Sequence, residues 1–312
     1  MTRFLKNNDG VLLLLGMILL VVVSFGRVIF LGVPAFESRY LLGMSSLEAW
    51  QRWLIFALNF PIAAFLLVLF NRMVQQYGLL TRLSNLPFFL SILAFFTIQD
   101  ELNQPFIWFS LACLMWFYTN NFEFMSTNGP KTTSFWSGFS IGLGSWLYPA
   151  IILSLPTYIQ AGFSSGMLSM RRFIIHLVGV LLPSYFIILL YYLIADDWIL
   201  PNWFRIDFKL SISNWGFWQW ALVVFIQVIT VVSTGFTLKG TNLREKRRFY
   251  LLAVSSILSL LAGVFISFDV FVIMSLLPFS IVFSRWIQAV ARNWVGDLVL
   301  LTYLMIIIGL NL

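Results

Sequence analysis

Charge is scarce in this chain. Only 10% of its 312 residues are Asp, Glu, Lys or Arg, against roughly 25% in a soluble domain. No polar stretch is long enough to make an appended soluble domain, so 1–312 reads as a single membrane domain. Cysteine is nearly absent too. Cys113 stands alone inside an apolar run, which excludes an intrachain disulfide and leaves the redox compartment unreadable. There is no GxxxxGK[ST] loop, no HExxH and no CxxC, so nucleotide-binding P-loop, zinc-protease and dithiol chemistry lack their residues. A Ser-His-Asp arrangement would need the one histidine, His176, which lies inside an apolar run and reads as a packing residue. No metal site is expected.

What the chain has is apolar length. Hydrophobic residues make up 60% of it, and a run of about 20 spans a bilayer. The clearer runs are 11–32, 53–70, 86–98, 106–119, 173–195, 218–236, 249–268, 270–284 and 296–310. The expected fold class is all-α: a polytopic transmembrane bundle of about nine full spans plus a broken half-helix pair near 135–160. The run 11–32 follows Arg3 and Lys6 as a signal sequence would, but it exceeds the 7–15 residues of a signal-peptide core and no small-x-small site follows. It reads as an uncleaved first span, with the N-terminus in the cytoplasm. The net charge of +7 reads as positive-inside topology rather than nucleic-acid binding.

Segment 135–160 decides the topology. It is broken by Gly138, Gly142, Gly144, Pro149 and Pro156. If it crosses once, seven of the 19 Lys/Arg fall inside and twelve outside, against the positive-inside rule. If it enters and returns as two short helices meeting near Tyr148-Pro149, fourteen fall inside: Arg3, Lys6, Arg72, Arg82, Lys131, Arg171, Arg172, Lys239, Arg244, Lys246, Arg247, Arg248, Arg285 and Arg292. Five remain outside, Arg27, Arg39, Arg52, Arg205 and Lys209. A rival drops 86–98 as a crossing, passes 135–160 once, and gives thirteen to six. The returning pair is preferred, because Gly138 and Gly142 stand at GxxxG spacing and Pro149 sits where a break is needed. Broken helices persist in membranes where protein or a wet cavity covers the freed backbone groups.

This topology places 33–52, 99–105, 196–217 and a tight turn at Asp269 outside. Trp50, Trp53, Trp198, Trp203, Trp215, Trp218 and Trp220 crowd the span edges there and read as interface anchors. Glu37 follows the first span, Asp100 and Glu101 fill a short turn, and Asp196 and Asp197 end the span 173–195. A carboxylate at the interface is partly desolvated, and its pKa rises towards general-base range. Arg39, Arg205 and Lys209 on the same face could hold a phosphate. Inside, Lys239, Arg244, Lys246, Arg247 and Arg248 form the strongest charge run. It reads as a topology anchor that touches anionic lipid, or as a docking site for an acidic protein partner. Within spans, Gln227 is expected to bond to a neighbouring helix, and Asn59, before Pro61, to cap a local break.

The stretch Lys131-Thr-Thr-Ser-Phe-Trp-Ser-Gly138-Phe-Ser-Ile-Gly142-Leu-Gly144-Ser-Trp-Leu-Tyr148-Pro149, with Arg171-Arg172 and the run ending Tyr191-Tyr192-Leu-Ile-Ala-Asp196, resembles an uncharacterised polytopic inner-membrane family of Bacteroidota. More loosely, the layout resembles the C-type glycosyltransferases, which use polyprenyl-phosphate sugars. Glu37 stands where that superfamily has its first-loop acid, Asp100 or Glu101 where a second external acid lies, and Gly138, Gly142 and Pro149 where it has a broken pair. The usual Asp-containing first-loop motif is missing and there is no external domain. The resemblance implies sugar transfer from polyprenyl phosphate at the outer face, with Glu37, Asp100 and Glu101 catalytic, Arg39, Arg205 and Lys209 on the phosphate, and a divalent cation as the one cofactor it would admit. The competing expectation is a non-catalytic scaffold or subunit of an envelope-assembly or secretion complex.

Overall fold

The structure is a computed structural model that describes residues 9–31, 49–95, 105–126, 130–195, 217–238, 241–290 and 293–311. Among these residues every regular element is a helix. In order they are α1 (Asp9–Leu31), α2 (Ala49–Gln76), α3 (Leu86–Phe95), α4 (Pro105–Phe124), α5 (Lys131–Leu147), a 3₁₀ turn (Pro149–Ser154), α6 (Leu155–Ser165), α7 (Met170–Ala195), α8 (Phe217–Thr237), α9 (Leu243–Phe265), α10 (Phe268–Ala289) and α11 (Asn293–Asn311).

Local chemistry sets the boundaries. Helix α2 ends where Gly78 takes a φ of 59°. There Leu79 N donates to Val74 O and Gly78 N to Gln75 O, the paired bonds of a Schellman cap. Gly166, with a φ of 69°, closes α6 the same way through Met167 N to Gly162 O and Gly166 N to Phe163 O. The Ser267 hydroxyl accepts from Val270 N at 3.3 Å and starts α10. The turn expected at Asp269 therefore falls two residues earlier. Pro61 lies inside α2 without ending it, so the local break expected at Asn59 does not form. One face of this stretch packs inward through buried Asn59 and Ala63, while Pro61 itself is exposed.

Side-chain pairs fix the helix directions. Tyr77 at the end of α2 meets Glu123 at the end of α4. The start of α9 (Arg248) and the end of α10 (Arg285) bond to the carbonyls of Tyr77 and Leu79. Arg172 at the start of α7 lies over Phe124, and Ser164 at the end of α6 meets Met125. Ser137 near the start of α5 meets Asn121. Gly16 of α1 packs on Phe88 and Ile92 of α3. Tyr303 of α11 packs on Phe279 and Phe283 of α10. From α2 to α10 successive helices therefore alternate in direction, with α5 and the 149–165 segment as one up-and-back pair. One end of the bundle gathers the turns 77–85 and 166–169, the ends of α4, α8 and α10 and the starts of α5 and α9.

Helix α10 is the centre. Every residue from Val270 to Ile287 is buried, including Arg285. The periphery is apolar and exposed. On α7, Ile174, Val178, Leu181 and Tyr185 form one exposed stripe, and on α8 so do Leu222, Phe225, Val228, Val232 and Phe236. Soluble monomers rarely expose apolar patches of this extent. Among the described residues four helices are long and apolar enough to cross a membrane: Ala57–Gln76, Met170–Leu190, Leu243–Phe265 and Val270–Ala289. Gly10–Val21, Ala221–Thr237 and Trp294–Tyr303 are shorter apolar helices. Helix α3, at ten residues, is about 15 Å long, half a bilayer core.

Candidate functional site

The broken segment packs closely against α7. Tyr148, ahead of Pro149, is extended at φ −146°, ψ 98°, as a residue before proline prefers, and the chain turns back there. Helix α5 then lies against α7 with almost no side chain between the backbones. A methyl group added to Gly138 would collide with the His176 carbonyl, on Gly142 with that of Val180, and on Gly179 with that of Phe135. At one end of this seam the Ser134 carbonyl lies 3.1 Å from His176 Nδ1. At the other, Trp146 Nε1 donates to Ser184 Oγ at 2.7 Å. Both helices advance together along the seam, so α5 and α7 are parallel, and their starts at Lys131 and Met170 share one end of the bundle.

The expectation for His176 as a packing residue is met. It is fully buried, and its ring stacks on Tyr158 of α6 with centroids 3.7 Å apart and planes 3° from parallel. Because a carbonyl only accepts, Nδ1 carries the proton in this contact. Gln227 likewise donates across to the Ser256 carbonyl of α9, the bond to a neighbouring helix expected of it.

The second polar centre sits at the end of the bundle that gathers the short turns. Turn 77–85 is held from three sides. Arg248 donates to the Tyr77 carbonyl and lies over its ring, 5.1 Å from the centroid. Tyr77 Oη donates to Glu123 at 3.2 Å. Burial, then the Glu123 charge and the bond to it, push the Tyr77 hydroxyl up to about 12, against the pull of Arg248. Arg285, only 3% exposed, donates to the Leu79 carbonyl at 3.0 Å and pairs with Glu245 at 3.4 Å. Gln288 accepts from Thr81 Oγ1 at 2.8 Å and donates to the Arg82 carbonyl at 3.1 Å. A pocket of about 200 Å³ opens beside this turn, between Val74, Gly78, Thr81 and Arg82.

Of the sequence-predicted residues, Arg244, Lys246, Arg247 and Arg248 are here, at the start of α9. Arg248 holds the turn, while Arg244 is exposed and Lys246 and Arg247 are half-buried. Glu37, Arg39, Asp100, Glu101, Arg205, Lys209 and Lys239 lie outside the described residues. The helices that lead into and out of their loops do fix one thing: the end of α7 and the starts of α2, α4 and α8 all lie opposite the basic turns. Among the described residues no group of three His, Cys, Asp or Glu could hold a metal. Sequence reasoning missed Gly179, Tyr77, Arg285 and Gln288. A glycine at mid-helix, in α7, was the available signal for the first, and an arginine within an apolar run for the third.

Comparison with protein-family models, with curated proteins and with solved structures gives no match to this chain.

Proposed function

We propose that this chain is a multi-pass protein of the cytoplasmic (inner) membrane, with its N-terminus in the cytoplasm, which transfers a sugar from a polyprenyl-phosphate carrier to an acceptor at the outer face. In this reading it has nine crossings and a returning pair at 131–165. The observation that carries it is the parallel packing of α5 and α7. A chain that doubles back before α7 puts the turns bearing fourteen of the 19 Lys/Arg at one end, which the positive-inside rule assigns to the cytoplasm. The loops 32–48, 96–104 and 196–216 then share the outer end. They bring Glu37, Asp100, Glu101, Arg39, Arg205 and Lys209 to one membrane face.

The chemistry follows from those residue types. Glu37 takes the acceptor hydroxyl's proton as its oxygen attacks the sugar's anomeric carbon. The bond from that carbon to the carrier's phosphate oxygen breaks, and polyprenyl phosphate leaves with its charge held by Arg39, Arg205 or Lys209. Asp100 or Glu101 orients the acceptor or a divalent cation. The test uses the purified protein in lipid nanodiscs with polyprenyl-phosphate hexoses, hexosamines and pentoses, with and without divalent cation. Wild type should release polyprenyl phosphate, and Glu37→Gln should lose that release while melting at the same temperature. Release by neither protein, or equal release by both, overturns the assignment.

One observation favours a non-catalytic assembly subunit instead. The slot between α2, α4 and α10, lined by Leu66, Phe70, Trp108 and Leu277, holds only about 10 Å³, so this part of the interior is filled. A protein that releases nothing in the assay and copurifies with a stoichiometric membrane partner would establish that reading.

A further inference from the structure

The two acidic side chains described at the basic end are each engaged by a residue of the fold. Glu245 sits between Arg244 and Lys246, yet its carboxylate is taken by buried Arg285 at 3.4 Å. Glu123 is taken by the Tyr77 hydroxyl, which lies beneath Arg248. Among the described residues Arg244, Lys246 and Arg247 form no ion pair, and Arg247 keeps a buried Nε with no protein partner. Exposed apolar side chains flank them on the same helix, Leu243 at 63% and Tyr250 at 51%. Arg82 and Leu83, both exposed, continue the pattern on turn 77–85. Cations that form no ion pair among the described residues, beside apolar groups that face outward, match the layer where acyl chains meet headgroups.

We infer that the first turns of α9, with Arg244, Lys246 and Arg247, bind the phosphate of an anionic membrane phospholipid. The inference rests on the membrane reading above. The cations supply the attraction, and Leu243 and Tyr250 set the depth at which the headgroup is met. Arg248 and Arg285 take no part, because both are committed to the Tyr77 and Leu79 carbonyls.

The full chain in mild detergent is titrated with phosphatidylglycerol or phosphatidylcholine, and retained lipid is counted by native mass spectrometry. Wild type should prefer phosphatidylglycerol roughly tenfold or more, at about 1 kcal/mol for each nearby cation. The R244Q/K246Q/R247Q variant, in which none of the three residues touches the fold's ion pairs, should lose that preference. Should the variant fail to fold, 1 M NaCl on wild type gives the second reading, because it screens exposed charges and should abolish the preference. No preference in wild type, a preference that survives both treatments, equal competition by millimolar glycerophosphate, or displacement by an acidic polypeptide would each overturn it. Protein that stays monodisperse without detergent would defeat the membrane reading itself.

Discussion

Trp146 donates its indole N–H to Ser184 Oγ at 2.7 Å, 38 residues along the chain, and Ser134 meets His176 42 residues along. Two contacts of near-equal separation along one seam require parallel helices. Between two parallel neighbours the chain must return once, and 149–165 is that return. Single cysteines at Lys131, Ser165 and Leu243, in a background with Cys113 replaced by alanine, should therefore all label from the same side of sealed vesicles. Labelling of position 165 from the side opposite 131 would break the assignment.

The glycine seam gives a graded test. Gly138→Ala, Gly142→Ala and Gly179→Ala each place a methyl group against a carbonyl of the partner helix, so α5 and α7 must separate. Overpacking of this kind costs about 1–3 kcal/mol, read as a drop in melting temperature in detergent. Gly235→Ala in α8 is the control, because nothing lies within 4 Å of the added methyl. It should be neutral, or stabilising by up to ~1 kcal/mol through helix propensity. Equal effects at all four positions would mean that the seam does not pack this way.

The seam also shows how far the sequence could be read. Gly138, Gly142 and Pro149 are visible as a close-packing pair and a break, because spacing and proline act locally. Gly179 offers only the signal of a lone mid-helix glycine in the 26-residue α7, and its partner backbone is what gives it meaning. Arg285 and Arg292 look alike as inner cations, yet Arg285 is buried against Leu79, more than 200 residues away. Pro61 carried a local signal that misled, since α2 runs through it without a break. The outer-face carboxylates remain a reading of the sequence, because Glu37, Asp100 and Glu101 lie outside the described residues.

Gly78 tests backbone conformation without packing. Its φ is 59° and no atom lies within 4 Å of an added methyl group. Gly78→Ala should cost about 1–2 kcal/mol through the left-handed conformation alone, with Gly78→Asn recovering part of it. Because Arg248 and Arg285 bond to the flanking carbonyls of Tyr77 and Leu79, protease sensitivity at 77–85 should rise in step with the loss of stability. Full tolerance of alanine would show that turn 77–85 closes some other way.

Arg285 joins the centre of the bundle to its basic end. Its guanidinium is buried, bonded to the Leu79 carbonyl at 3.0 Å and to Glu245 at 3.4 Å. The two bonds should contribute unequally. Arg285→Met keeps most of the volume but leaves the carbonyl without its charged donor, and should cost roughly 1.5–3 kcal/mol. Glu245 is 35% exposed, so Glu245→Gln removes a solvent-screened partner and should cost under about 1 kcal/mol. If the bond to the Leu79 carbonyl dominates, Glu245→Gln should add almost nothing to Arg285→Met in the double variant, because its partner is already gone. Thermal unfolding of the four proteins in one detergent reads this directly. A larger loss from Glu245→Gln than from Arg285→Met would show that the ion pair, and not the grip on turn 77–85, holds this end of the bundle.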